Sequence, residues 1–272
     1  AILSTRRIET RSDRLVTIAV LPMMSCAGRL PIYMMFVSAL FPSRLQAPVL
    51  FGIYASGVLL ALCCARLLKN TLFKAPQRDS LHHMKRLRLP SLRKVGILMW
   101  SRAFMYVRKA GTFILGASII LWFLNTYPRP EEDTAPTNAA AMEHSYAGQI
   151  GHWMEPVTQV AGFDWKINSA LVGAFAAKEI FVTQMGILYA VEDGNSGPAA
   201  QQTLNARLKA SYTPLQGISI MIFCLIALPC IGTVTVAKRE AGTWWFALAQ
   251  FGGLTLLGFA TATLIYQAGL LL

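Results

Sequence analysis

The sequence has little charge. Only 14% of its 272 residues are Asp, Glu, Lys or Arg, and 54% are hydrophobic, whereas soluble domains usually carry about 25% charged residues. This composition excludes a disordered chain and argues against an ordinary cytosolic protein. Basic residues nevertheless outnumber acidic ones by 25 to 13, which gives a formal net charge of +12.

Cysteine and the common catalytic motifs are scarce or missing. Five cysteines, an odd number, all lie in apolar stretches without a CxxC motif, which is not the pattern of a disulfide framework. The sequence also contains no GxxxxGK(S/T), HExxH or GxSxG motif. No nucleotide-hydrolysis or hydrolase chemistry is therefore visible, and we expect this chain not to be an enzyme.

Long apolar runs dominate what is present. A helix needs about 20 apolar residues to cross a bilayer core, and six regions reach or approach that length: 15–41, 47–65, 110–124, 167–191, 214–237 and 241–272. Polar residues recurring every seven positions before residue 110 predict an interfacial amphipathic helix that leads into the third region. The sequence thus predicts an all-α polytopic membrane helical bundle of about six spans, two of them broken by proline.

We expect a single transmembrane body over 1–272. It divides into a first half (1–68), a basic link with the interfacial helix (69–109), middle spans (110–191) and a second half (214–272). Because the chain starts with Ala1 rather than Met, we expect a fragment of a longer protein.

The links between the spans differ sharply in charge. Residues 66–109 carry twelve Lys or Arg and one acid, whereas residues 125–165 carry one Arg and six acids. The positive-inside rule places the first link and the N-terminus in the cytoplasm and the second link outside. Lys238 and Arg239 would then lie outside, unless the Pro229 segment is re-entrant. Membrane orientation and anionic lipid explain the basic charge better than nucleic acid does.

The first candidate site is a segment in which two prolines nine residues apart interrupt a helix twice. Irregular backbone at membrane depth is tolerated only against protein or a cavity, and an intramembrane arginine points to function. A kinked structural helix with a buried cysteine is the alternative. The candidate residues here are Pro22, Met24, Ser25, Cys26, Gly28, Arg29 and Pro31.

The second candidate repeats this pattern in the other half of the chain. Pro229 interrupts an apolar run and is followed by Cys230, Gly232 and Thr233. Paired proline- or glycine-interrupted spans are typical of transporters that bind their substrate near the midplane of the membrane.

The third candidate is Lys178–Glu179, a charge pair inside an apolar run. Such charges are costly in a membrane, so they should be paired or face water. The pair either neutralises itself and joins two helices, or supplies a carboxylate ligand or proton acceptor. His144 and His152, in the acidic link, are weaker candidates for cation capture. The cysteines outside the two proline segments are expected to be plain hydrophobic residues.

The residues of these segments resemble the C-terminal membrane part of FeoB, the ferrous iron transport protein B family. The resemblance is carried by the stretches at 5–9, 13–18, 24–33, 109–112, 122–124, 173–179, 229–233 and 239–242, in particular by SCxxRLP together with PCxxT. It covers about three quarters of the chain. Carried over residue by residue, Cys26 and Cys230 would be gate cysteines and Glu179 the carboxylate of the adjoining element.

The resemblance implies a multi-pass importer of Fe²⁺ in the bacterial cytoplasmic (inner) membrane. No cofactor is implied for this chain, because GTP and Mg²⁺ would belong to an N-terminal G domain or to a separate GTPase chain. The implied partners are membrane lipid, Fe²⁺, that GTPase, small cytoplasmic Feo accessory proteins and further copies in a homo-oligomer. No nucleic acid is expected.

The residue types suit such an ion. Fe²⁺ accepts thiolate and carboxylate ligands, whereas Mg²⁺ prefers oxygen alone. We expect Cys26 and Cys230 to approach each other and share one site with Glu179, with the hydroxyls of Ser25 and Thr233 along the ion path. Two other functions stay open: a permease for an organic solute such as a nucleoside, which would need aromatic and amide groups around the breaks, and a non-transporting membrane scaffold for a GTPase.

Overall fold

The structure is a computed structural model that describes residues 2, 5, 8, 10–24, 26–71, 91–128, 142–189 and 198–271. Within these ranges every regular element is helical, which confirms the predicted all-α class. The α-helices are α1 (Arg11–Val20), α2 (Leu30–Leu40), α3 (Ser43–Thr71), α4 (Leu92–Thr126), α5 (Tyr146–Thr158), α6 (Trp165–Ala176), α7 (Lys178–Leu188), α8 (Pro198–Ser211), α9 (Pro214–Ile226), α10 (Ile231–Ala241) and α11 (Trp244–Leu271).

Four helical stretches of the described chain are long and apolar enough to cross a membrane. They are Arg11–Leu40, which contains α1 and α2, then α3, then Pro214–Ala241, which contains α9 and α10, and finally α11. These correspond to the first, second, fifth and sixth predicted spans. The third predicted span corresponds to a shorter apolar stretch, Leu115–Thr126, at the end of α4.

Helix α4 joins two predicted parts. The sequence predicted an interfacial helix that leads into the third span, and the structure forms one helix over Leu92–Thr126, 35 residues long. At 1.5 Å per residue such a helix is about 52 Å long, well beyond the roughly 30 Å of a bilayer core.

Three short helices, α2, α6 and α9, each bury more than half of their residues. Helix α2 contacts α7, α8 and α9, and α9 packs along α11. Phe36 of α2 meets Phe181 of α7 with ring centroids 6.1 Å apart, and both side chains are fully buried. Helices α3, α4 and α11 instead leave large apolar side chains exposed.

One ion pair joins the beginning of α1 to the end of α3. Lys69 Nζ lies 3.0 Å from Asp13 Oδ1. This ion pair places the beginning of α1 next to the end of α3.

Candidate functional site

The first helix break lies between α1 and α2. A 3₁₀ turn over Leu21–Met23 follows α1, and a second one over Ala27–Arg29 leads into α2. Pro22 has no N–H to donate to the Ile18 carbonyl. Gln250 of α11 replaces that donor, because its Nε2 lies 2.8 Å from Ile18 O. The carbonyl that this break leaves free is thus hydrogen-bonded by a side chain from the other end of the sequence.

The second break lies between α9 and α10. Ala227 is extended after α9 ends, and Leu228 adopts a φ of 53°. That left-handed conformation is unfavourable for a side chain with a Cβ, and it is found mainly where the surrounding structure imposes it. Cys230 then precedes α10, with its Sγ 3.2 Å from Thr233 Oγ1.

The two predicted gate cysteines occupy equivalent positions. Cys26 is the N-cap of the 3₁₀ turn Ala27–Arg29, and Cys230 is the N-cap of α10. Each sulfur therefore belongs to the residue immediately before a helical segment, where backbone N–H groups are unpaired. Cys26 is exposed and Cys230 is half-buried.

A third break, which the sequence analysis missed, separates α6 from α7. Ala177 is extended, with φ −152° and ψ 137°, and Lys178 and Glu179 begin α7. The sequence predicted one continuous span over 167–191, because no proline interrupts it. The only local signal was the charge pair itself, which lies at the new helix start.

The third break touches the other two. A Cβ added to Gly28, in the first break, would lie 2.7 Å from Glu179 Oε1. The Lys178 Nζ donates a hydrogen bond to the Ala227 carbonyl, in the second break, at 3.3 Å. Lys178 and Glu179 therefore connect two segments that are separated by about two hundred residues in the sequence.

Two buried cations lie at this junction. Arg29 is 2% exposed and Lys178 is 5% exposed. Arg29 Nη1 donates to the Met24 carbonyl at 3.2 Å, while its Nε has no partner. Neither cation forms an ion pair with a residue that the structure describes. The thiols of Cys26, Cys224 and Cys230 and the guanidinium of Arg29 lie within electrostatic range of the Lys178 ammonium.

Lys178 and Glu179 do not neutralise each other. The Lys178 side chain is buried, whereas Glu179 is exposed next to Gly28. Consecutive residues of a helix point in different directions, so the two charges serve different neighbours. The structure therefore does not form the self-neutralising contact that was one of the two interpretations of this pair.

The predicted metal ligands are not gathered into one coordination group. Across the described ranges, no three or more His, Cys, Asp and Glu side chains are close enough together to hold a metal ion. The shared site of Cys26, Cys230 and Glu179 stays a prediction. Ser25 lies outside the described residues, Thr233 contacts Cys230, and Met24 and Gly232 are exposed.

Cys224 is a neighbour of the site that sequence reasoning set aside. It is fully buried in the last turn of α9, and its thiol lies near Lys178 and Arg29. Its only sequence signal is its position five residues before Pro229. Cys63 and Cys64 lie on α3, and neither is fully buried.

The two histidines belong to the surface around α5. His152 Nδ1 lies 3.3 Å from Glu155 Oε2 and its Nε2 3.7 Å from Glu143 Oε1, while its ring stacks on Trp165. His144 is exposed. No contact described for either histidine reaches the three breaks.

A polar cluster joins the start of α6 to the end of α8. Asp164 accepts a hydrogen bond from the Ile167 N–H at 2.9 Å and another from the Tyr212 hydroxyl at 2.9 Å. The Tyr189 hydroxyl donates in turn to Tyr212 Oη at 2.9 Å. Burial raises the pKa of Asp164 above its ordinary range, and its hydrogen bonds oppose that change.

The fold and the site define a class of protein: a helical membrane protein whose central helices are broken, with the breaks meeting at buried charges and thiols. Two family models match the chain. One, described as the C terminus of ferrous iron transport protein B, covers residues 50–102, and the Gate model, described as nucleoside recognition, covers residues 107–244, about half of the chain.

Curated relatives agree with these matches. The Fe(2+) transporter FeoB of Campylobacter jejuni is 35% identical over 92% of this chain and 41% of its own length. The Fe(2+) transporter FeoB of Leptospira biflexa is 33% identical over 100% of this chain and 41% of its own length. A Porphyromonas gingivalis protein, named as a fusion of Fe(2+) transport protein A and Fe(2+) transporter FeoB, is 34% identical over 100% of this chain and 36% of its own length.

The chain belongs to the FeoB family and corresponds to the C-terminal part of its members. It spans about two fifths of the length of the curated relatives it matches. No solved structure matches the chain significantly.

Proposed function

We propose that this chain is the permease part of a GTPase-coupled transporter that imports Fe²⁺. One observation carries the proposal: three helix breaks meet, two of them place a cysteine directly before a helical segment, and the third brings Lys178 and Glu179 against both. Broken helices of this kind supply backbone and side-chain ligands near the midplane in transporters.

The available ligands support a ferrous ion. Cys26 and Glu179 are both exposed, and Gly28, which follows Cys26 closely, adjoins the Glu179 carboxylate. The pair Cys230 and Thr233 adds sulfur and oxygen at the second break. Sulfur with carboxylate suits Fe²⁺ and other borderline metals better than Mg²⁺. The relatives' names, which specify Fe(2+), point the same way.

An organic solute such as a nucleoside is the second candidate, since the Gate model is described as nucleoside recognition. Recognition of a base would need free amide and aromatic groups around the breaks. The amide at the first break, that of Gln250, instead donates to the carbonyls of Ile18 and Ala19, at 2.8 and 3.3 Å. This arrangement favours the ion.

Further parts of the proposal concern surroundings and orientation. GTP and Mg²⁺ belong to a G domain or separate GTPase chain, and an accessory protein takes part, which the name of the Porphyromonas fusion supports. The protein lies in the bacterial cytoplasmic membrane with the N-terminus and the basic link inside. The contact between Asp13 and Lys69 supports a position of the N-terminus and the basic link on the same side of the membrane.

The test is anaerobic uptake of radioactive Fe²⁺ by cells that carry the full-length protein, together with thiol labelling of Cys26 and Cys230. We expect the double variant Cys26→Ser, Cys230→Ser to lose about tenfold or more in uptake, the scale on which metal affinity responds to changes near a ligand. The matched control is Cys63→Ser, because Cys63 is an exposed thiol on α3.

Fe²⁺ or Co²⁺ should also protect Cys26 and Cys230, but not Cys63, from a small thiol reagent. If neither cysteine is protected and the double variant transports iron like the wild type, the thiols are not in the ion path. An organic solute or a scaffold role would then be the better interpretation.

A further inference from the structure

The Lys178 ammonium lies where a transported cation would find ligands. Its Nζ is 3.3 Å from the Ala227 carbonyl, which α9 leaves unpaired at the second break. The thiols of Cys26, Cys224 and Cys230 are close enough to interact with it electrostatically. Carbonyl oxygen and sulfur are the groups that a dehydrated divalent metal ion would use at a helix break.

Among the residues that the structure describes, no carboxylate forms an ion pair with this ammonium. Lys178 is 5% exposed and Arg29, its charged neighbour from the first break, is 2% exposed. The carboxylate of the next residue along α7, Glu179, is exposed and adjoins Gly28. A buried cation that lacks an ionic partner carries a large desolvation cost, so its position is determined by what it contacts rather than by general charge balance.

The two cations are attached differently. Arg29 donates to Met24, five residues away in the same segment, and so belongs to the first break itself. Lys178 instead reaches from the start of α7 to a carbonyl 49 residues further along the chain. A lysine side chain is long and flexible, and its ammonium is a compact point charge. Lys178 can therefore leave the carbonyl by side-chain rotation and would free a carbonyl of a distant break, whereas rotation of Arg29 would free only a carbonyl of its own segment.

We propose that Lys178 is a tethered cation that occupies the ion position of the gate, so that Fe²⁺ enters this position only when the ammonium leaves the Ala227 carbonyl. The proposal rests on the proposed function. In the conformation described, the ammonium excludes divalent ions by charge repulsion and joins α7 to the second break. Lys178 is thus a positioning residue that controls access, and it is not a metal ligand.

A purely structural role is the competing explanation. A cation at the C-terminal end of a helix is favourable, because the unpaired carbonyls there carry partial negative charge. Lys178 would then stabilise the end of α9 and have no effect on metal affinity beyond that of a damaged fold. Metal binding separates the two explanations, since removing a competing charge strengthens it and damaging the site weakens it.

The experiment measures Co²⁺ binding to the purified full-length protein in detergent without oxygen, by the concentration that protects Cys26 and Cys230 from a thiol reagent. We expect Lys178→Met, which removes the charge and keeps the chain length, to lower that concentration about tenfold or more. Lys178→Arg, which keeps a charge, should stay near the wild-type value. The control is Lys166→Met, because Lys166 lies over the ring of Tyr189, 4.7 Å from its centroid.

Each result has a separate meaning. Equal protection of wild type and Lys178→Met, or weaker protection in Lys178→Met, overturns the tethered cation and leaves the iron path intact. Absence of protection in every variant, the wild type included, contradicts the proposed function instead. Lys178→Gln, another neutral replacement, decides the matter if Lys178→Met does not elute as a folded protein.

Discussion

Gly258 of α11 is the position at which a single methyl group should disturb the second break. A Cβ at this residue would lie 2.7 Å from the Ala227 Cβ, 3.0 Å from its nitrogen and 3.2 Å from its Cα. Carbon atoms in contact normally stand about 3.5–4.0 Å apart. Ala227 cannot easily retreat, because its N–H bonds to the Phe223 carbonyl at 2.8 Å and its own carbonyl accepts from Lys178.

The size of the effect follows from two opposing contributions. Overpacking a well-filled interior costs about 1–3 kcal/mol, while replacing glycine by alanine inside a helix contributes about 0.5–1 kcal/mol. Gly253, on the same helix, has nothing within 4 Å of its added Cβ. Gly253→Ala should therefore show the helix gain alone, and the difference between the two variants isolates an overpacking cost of about 1–3 kcal/mol.

The assay is thermal unfolding of both variants in the same detergent, followed by iron uptake. We expect Gly258→Ala to melt below the wild type, Gly253→Ala to melt at or above it, and only Gly258→Ala to lose uptake. Equal melting temperatures for the two alanine variants would refute the close contact between α11 and the Ala227 break.

Two further predictions concern hydrogen bonds. Gln250→Leu leaves the buried Ile18 carbonyl without its donor and should cost about 1–3 kcal/mol of stability. The control is Gln267→Leu, whose amide donates at the exposed end of the same helix and whose loss should cost less than about 1 kcal/mol. Equal losses of stability in thermal unfolding would argue against the role of Gln250 at the first break. Burial raises the pKa of Asp164 above its ordinary 3.8, so the native state binds the proton more tightly than the unfolded state does. The stability contribution of this carboxyl therefore falls as the pH rises from 3.8 through the raised pKa. Tyr212→Phe removes a hydrogen bond to the ionised Asp164 carboxylate, so it should destabilise the protein more at pH 7 than at pH 4. The measurement is unfolding at both pH values, in the Tyr212→Phe protein and in one that also carries Asp164→Asn. A loss of stability that is the same at both pH values would contradict this prediction.

Much of the site could be predicted from local sequence because its cause is local. Proline has no N–H, which weakens the helix at Pro22 and at Pro229, although Pro48 and Pro156 are accommodated inside α3 and α5. Both predicted breaks form, and both place a cysteine before the next helical segment. The apolar runs likewise determine an all-helical membrane class, because only internally hydrogen-bonded segments of that length can cross a bilayer as single chains.

The third break could not be predicted in this way. Ala177 is an ordinary residue in a run of small side chains, and nothing in its covalent structure prevents a helix. Its extended conformation depends on what surrounds it, since Lys178 donates to Ala227 and Glu179 adjoins Gly28. The same applies to Leu228, whose positive φ no leucine adopts by preference.

The sequence by itself therefore determined the helical class, the family and the two proline breaks. Only the tertiary structure decided that these breaks meet a third one, that the charges of Lys178 and Glu179 face different neighbours, and that Cys224 belongs to their surroundings. The physical reason is range: a missing N–H acts on its own helix turn, whereas the partners of a freed carbonyl or a buried ammonium come from distant segments.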